Sequence, residues 1–104
     1  MITVVKNITD IENIYTYFEF NGYSDWYNFD TILSILTNQM GCQVIEKLDG
    51  IYSKHCWLKK NDFEFKLLYH EDFGNCLCSQ EKKDDVYYNQ LEKISSAVVN
   101  RLLI

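Results

Sequence analysis

Along Phe63–His70 the residues alternate, with Phe63, Phe65, Leu67 and Tyr69 on one parity and Glu64, Lys66, Leu68 and His70 on the other. A period of two is the mark of a strand with one buried face. The chain must therefore build a sheet and supply apolar surface to cover it. The flanking sequence extends the pattern. Residues 42–48 read as a strand, Asp49-Gly50 as a turn, residues 54–60 as a strand and Asn61-Asp62 as a second turn. Glu71-Asp72-Phe73-Gly74-Asn75 reads as a hairpin loop and residues 76–79 as a last strand. Connections this short imply an antiparallel meander. With no proline in the chain, the turns rest on Gly, Asn and Asp.

Three helical stripes are available to cover that sheet. Ile11, Ile14, Tyr15 and Phe18 recur at helical spacing and predict a helix over residues 9–20, with Phe20 nearly opposite the stripe. Asn21-Gly22 would end it. Phe29, Ile32, Leu33, Leu36 and Met40 predict a second helix over residues 25–39, stopped by Gly41. Tyr87, Leu91, Ile94, Val98 and Leu102 predict a third, running to the C-terminus, with Asp84 and Asp85 suited to its positive end. Residues 2–6 are β-branched and fit either a first strand or a lead into the first helix. The expectation is a single α+β domain over residues 1–104. In it two N-terminal helices and one C-terminal helix pack on a four-stranded antiparallel meander.

The helices carry a peculiarity. Eight of the sixteen aromatic residues fall within residues 15–29, and residues 7–46 hold six carboxylates but no Lys or Arg. One amphipathic helix cannot bury so many rings. Exposed rings in a field of one sign describe a docking surface for a basic partner better than a catalytic cleft. The plainer account, that most of these rings are core, stands beside it. The net charge of −5 over 104 residues argues against direct binding of nucleic acid or of an anionic membrane. No leader and no apolar run long enough to span a bilayer is visible, so a cytosolic protein is expected.

Chemistry is hard to find. The bases near neutrality are His55 and His70. His55 adjoins Cys56, but neighbours on a strand point to opposite faces and cannot form a Cys–His pair. The glycines are isolated, so no phosphate loop is formed. Cys76 and Cys78, two apart in a strand, should share a face, and Cys42, Cys56, His55 or His70 could complete a zinc site with them. The usual C-x₂₋₄-C pairs are missing, and four buried thiols without metal or cofactor are the expectation. No catalytic set emerges, and an enzyme is not expected.

The run Val44-Ile45-Glu46-Lys47-Leu48-Asp49-Gly50, the pair Trp57-Leu58, the alternating strand and the Y-x-x-x-x-G spacing from Tyr69 to Gly74 resemble small bacterial immunity proteins. Those proteins are encoded beside polymorphic toxins of contact-dependent growth inhibition systems. The likeness covers roughly residues 42–102. It implies binding and neutralisation of one cognate toxin C-terminal domain as a one-to-one heterodimer, often a basic nuclease acting on tRNA or other RNA. The family shares no binding motif, so no contact residue is implied. From charge and aromaticity the candidate toxin contacts are Glu12, Glu19, Tyr23, Asp25, Tyr27 and Asp30. Glu71, Asp72 and Phe73 form a second patch at a hairpin tip, with one exposed ring. The rival readings are an acidic adaptor or anti-restriction DNA mimic, and a cysteine-based metal-binding domain.

Overall fold

Phe18 and Phe20 are both fully buried, whereas Glu19 between them lies opposite Val5 on one side and Cys76 on the other. This is strand geometry, and it overturns the helix expected over residues 9–20. The computed structural model describes residues 1–9 and 15–104. In it Thr3–Ile8 (β1) and Thr16–Asn21 (β2) form an antiparallel hairpin. The physical reason is the run Thr16-Tyr17-Phe18-Glu19-Phe20. It is aromatic and β-branched, and its alternation lets Phe18 and Phe20 enter one core, whereas a helix would turn Phe20 away from Phe18. The first half of the expected helix, residues 10–14, lies outside the described residues.

The expected meander is present and is longer than expected. Gln43–Asp49 (β3), Ser53–Lys60 (β4), Phe63–His70 (β5) and Gly74–Cys78 (β6) pair in sequence, each antiparallel to the next. β2 then pairs with β6, giving one six-stranded sheet in the order β1-β2-β6-β5-β4-β3. The α+β class and the antiparallel pairing hold. Four strands with two N-terminal helices are corrected, among the described residues, to six strands with two helices.

Those helices cover one face. Asn28–Ser34 (α1) continues through a π-helical turn, Ile35–Gln39, closed by a Met40 N–H to Ile35 carbonyl bond of 3.1 Å. α1 buries Phe29 and Ile32 in the core, and the wide turn adds Ile35 and Leu36. Asp85–Leu102 (α2) is capped by Asp84, whose side chain accepts from the Tyr87 amide at 2.9 Å. It buries Tyr88, Leu91, Ile94, Val98 and Val99 in one core cluster with Phe18, Phe65, Leu67 and Leu77 of the sheet.

The other face carries no helix among the described residues. It holds a smaller cluster of Tyr17, Leu68, Cys76 and Cys78 with Phe73 over it. Lys66 lies on this face too, between Trp57 and Cys78 in the cross-strand row. The alternation of β5 is thus as expected, with Phe65 and Leu67 toward the helices and Lys66 away. Lys66 is nevertheless buried by its neighbours.

Candidate functional site

The pairing registers bring three connections and the start of β1 to one end of the sheet. β2 ends where β6 begins, His70 at the end of β5 pairs with Gly74 and with Ser53, and Asp49 at the end of β3 pairs with Lys54. The connection from β2 to α1, the β5–β6 hairpin tip and the β3–β4 tip therefore sit side by side, with the start of β1 beside them. Gly74, at a φ of +65°, approaches Ser24 so closely that a Cβ would lie 2.8 Å from the Ser24 Cβ, which seats the hairpin on the loop. Asn75 reinforces the seat, its Nδ2 donating to the carbonyls of Tyr23 and Asp25, each at 3.0 Å.

This end gathers Asp25, Asp30, Asp49, Glu71 and Asp72, all exposed. Tyr27 (83% exposed), Ile51 (85%) and Tyr52 (66%) stand among them. Parts of the two patches read separately from the sequence, Asp25, Tyr27 and Asp30 of one and Glu71 and Asp72 of the other, thus come to the same end of the sheet. The stretch without cations in the sequence does meet one in space. Lys54 comes from β4, with its ammonium 3.4 Å from the Asp30 carboxylate, 4.6 Å from the Trp26 ring centre and 5.4 Å from that of Phe29. Trp26 rests edge-on against Tyr69 at 5.3 Å. Arg101 shares a surface hollow with Tyr23 and Asp30 at the margin.

The remaining predicted contacts divide. Glu12 lies outside the described residues. Glu19 is on the helix-free face of β2, accepting from Asn7 Nδ2 at 3.4 Å, away from this end's loops. Tyr23 is partly buried against the main core, so it supports the loop more than it presents a ring. Phe73 does not project as the exposed ring expected. It packs 5.3 Å from both the Tyr17 and His70 ring centres. His70 Nδ1 accepts from the Asp72 amide at 3.1 Å, which holds this tip in shape. Ile51 and Tyr52 were missed. Their signal was available, because two large apolar residues following Asp-Gly occupy a turn, where they have no core to enter.

The helix-free face offers the other concentration of chemistry. Cys76 donates to Cys78, and that bond together with burial holds the Cys76 thiol well above its ordinary range. The same bond, with Lys66 nearby, moves the Cys78 thiol down. Both sulfurs share a face, as the spacing implies. Among the described residues no group of three or more His, Cys, Asp or Glu side chains converges as metal ligands would. His55 has its Nε2 2.9 Å from Ser53 Oγ and stacks on Trp57. A hollow of about 380 Å³ beside Trp57 is lined by Glu46, Glu64, Glu81 and Lys83 without a His or Cys. Ser53 and His55 make a hydroxyl–imidazole contact, and His55 Nδ1 has no hydrogen-bond partner among the described residues to orient the ring. Among the described residues no helix is long and apolar enough to cross a membrane. No protein-family model matches the chain, and neither the curated proteins nor the solved structures yield a match.

Proposed function

We propose that the protein is an immunity protein that binds one basic toxin domain, one to one, and covers its active site with the acidic, aromatic end of the sheet. The observation that carries this reading is the convergence of five carboxylates with the exposed side chains of Tyr27, Ile51 and Tyr52 from separate loops. A nuclease cleft is basic because it must hold phosphates. An acidic surface enters that field, steers the encounter and excludes the substrate. Exposed aromatic residues then slow dissociation, since the strongest contacts of interfaces are enriched in Tyr and Trp. The resemblance of residues 42–102 to immunity proteins of contact-dependent growth inhibition systems supports the same reading. With that resemblance goes the expectation that the protein works in the cytosol, against a toxin of the kind often directed at tRNA or other RNA.

The test is binding kinetics at two salt concentrations against the toxin domain encoded beside the gene, together with protection of cells expressing that toxin. Reversing Asp25, Glu71 and Asp72 to Lys should slow association and weaken its salt dependence while the fold persists; Asp30 is left in place because it pairs with the buried Lys54. Unchanged rates with protection intact would move the interface elsewhere. Failure of the unaltered protein to protect would remove the immunity reading.

A further inference from the structure

The two edges of the sheet differ. β1 has two half-buried residues, whereas all seven residues of β3 are exposed. The stretch from β3 into its hairpin also concentrates apolar surface, with Val44, Ile45, Leu48, Ile51 and Tyr52 all exposed. The Gly50 amide donates to the Ser53 carbonyl at 2.8 Å, so the ladder runs on to Gly50 and leaves Ile51-Tyr52 as the tip. An open edge of this kind is a template for another strand.

We propose that β3 pairs antiparallel with β3 of a second copy, about a two-fold axis normal to the sheet at Leu48. The argument is self-complementarity. Such an axis sets a residue opposite its own copy and keeps every side chain on its face. Centred on Glu46 or Lys47, the pairing places like charges directly opposite each other. Centred on Ile45, it sets Val44 against Glu46 and leaves Leu48, Ile51 and Tyr52 without partners. Centred on Leu48, it sets Leu48 against Leu48 and Lys47 against Asp49 twice, with Glu46 facing Gly50. The irregularity between Val44 and Glu46 ends the regular ladder there. Beyond it Ile45 and Val44 of one copy lie alongside Ile51 and Tyr52 of the other. In this register every exposed apolar residue of the run meets an apolar one, and each charge at position 47 or 49 meets its opposite. The proposal does not rest on the immunity reading, since it needs only a second copy of the chain, but it engages Asp49, Ile51 and Tyr52 and so makes the homodimer and the toxin complex mutually exclusive.

Sedimentation equilibrium and cysteine cross-linking of the full chain test it. The native thiols are all buried, so an introduced one on β3 reports alone. The unaltered protein should show a reversible dimer in the micromolar range. Asp49→Lys sets lysines opposite each other twice and should weaken the dimer by about tenfold or more. The exchange Lys47→Asp with Asp49→Lys should restore it. Leu48→Cys should cross-link to itself under mild oxidation, whereas Lys47→Cys and Asp49→Cys should cross-link when mixed more than alone. A protein monomeric at every concentration, an exchange that fails to restore the dimer, or cross-links in another register would overturn the proposal.

Discussion

Asn75 Nδ2 donates to the backbone carbonyl of Asp25 at 3.0 Å, joining β6 to a loop fifty residues earlier. The same nitrogen holds the Tyr23 carbonyl, and the side chain is fully buried with Oδ1 unpaired among the described residues. This contact ties the acidic loop to the sheet. Asn75→Ala should cost about 2 kcal/mol, because two carbonyls lose their donor. Asn75→Asp should cost more, since an ionised carboxylate has no proton to offer and would be buried facing two carbonyl oxygens. Urea denaturation of the three proteins is the measurement. Equal stability of Asn75→Asp and the parent would show that this bond does not hold the loop.

Tyr23 and Tyr27 are separated by the structure into different roles. Tyr23 packs on the main core, while Tyr27 is exposed. Tyr27→Ala should leave stability within about 0.5 kcal/mol of the parent. If Tyr27 anchors the toxin, the same change should speed dissociation by a cost of roughly 2 kcal/mol. Tyr23→Ala should show the reverse balance, with lost stability and a smaller effect on dissociation. Thermal melts beside surface-binding kinetics distinguish them. Identical behaviour of the two variants would contradict the assignment.

The strand identity of β2 is testable in the same way. Phe20 faces the core beside Phe18, and Glu19 faces away. Phe20→Ala should cost about 3–5 kcal/mol, and Glu19→Ala should cost far less. A helix over these residues would have placed Phe20 opposite Phe18 and made its loss cheap. Slow hydrogen exchange of the amides in Thr16–Asn21 should accompany the result, as expected of an interior strand.

Much of the meander was legible because turn signals punctuate it: Asn61-Asp62 and Gly74 lie at their turns, whereas Asp49-Gly50 stays in the ladder and the chain turns just after it, at Ile51-Tyr52. Asn61 takes a φ of +55°, a conformation Asn tolerates better than most residues. The third helix was legible from its stripe and its Asp84 cap. The first hairpin was not, because Ile11, Ile14, Tyr15 and Phe18 satisfy a helical period while Phe18 and Phe20 satisfy a strand period. Pairing with β1 on one side and with β6, sixty residues on, on the other decides between them. The site was half legible. Acidity and aromaticity marked Asp25, Tyr27 and Asp30, but nothing local says that residues 71–73 and Tyr52 arrive beside them. Nor does it say that Lys54 arrives to pair with Asp30. Those facts reside in the strand registers.

His55 supplies a pH dependence. Burial pushes its pKa below the ordinary value, with Lys66 and His70 adding to the effect and Asp49 opposing it. The unfolded chain therefore takes up the proton first as pH falls. The native state is favoured above the unfolded value and loses that advantage as pH falls toward the folded value. His55→Gln removes the titration, so the parent should lose stability relative to this variant between neutral and mildly acidic pH. Denaturation at a series of pH values reads the difference. A parent that gains stability relative to the variant on acidification would give the wrong sign.

Lys66 is the costliest charge on the helix-free face. It is buried between Trp57 and Cys78, and its ammonium lies 4.6 Å from the Trp57 ring centre. Among the described residues no carboxylate forms an ion pair with it. Burial pushes its pKa down, and Cys78 and Cys76 pull partly the other way. The stem is worth keeping because it covers the sheet, whereas the charge is not repaid by a partner. Lys66→Met retains the length and removes the charge, so it should stabilise the fold by roughly 1 kcal/mol at neutral pH. The sign with pH follows. A lysine whose folded pKa is depressed gives up its proton in the native state first as pH rises. The parent's deficit should therefore shrink as pH climbs through the folded value toward the unfolded one. Stability of both proteins from neutral to alkaline pH tests this. A Met variant less stable than the parent at neutral pH would mean that the contact with Trp57 outweighs the cost of burying the charge.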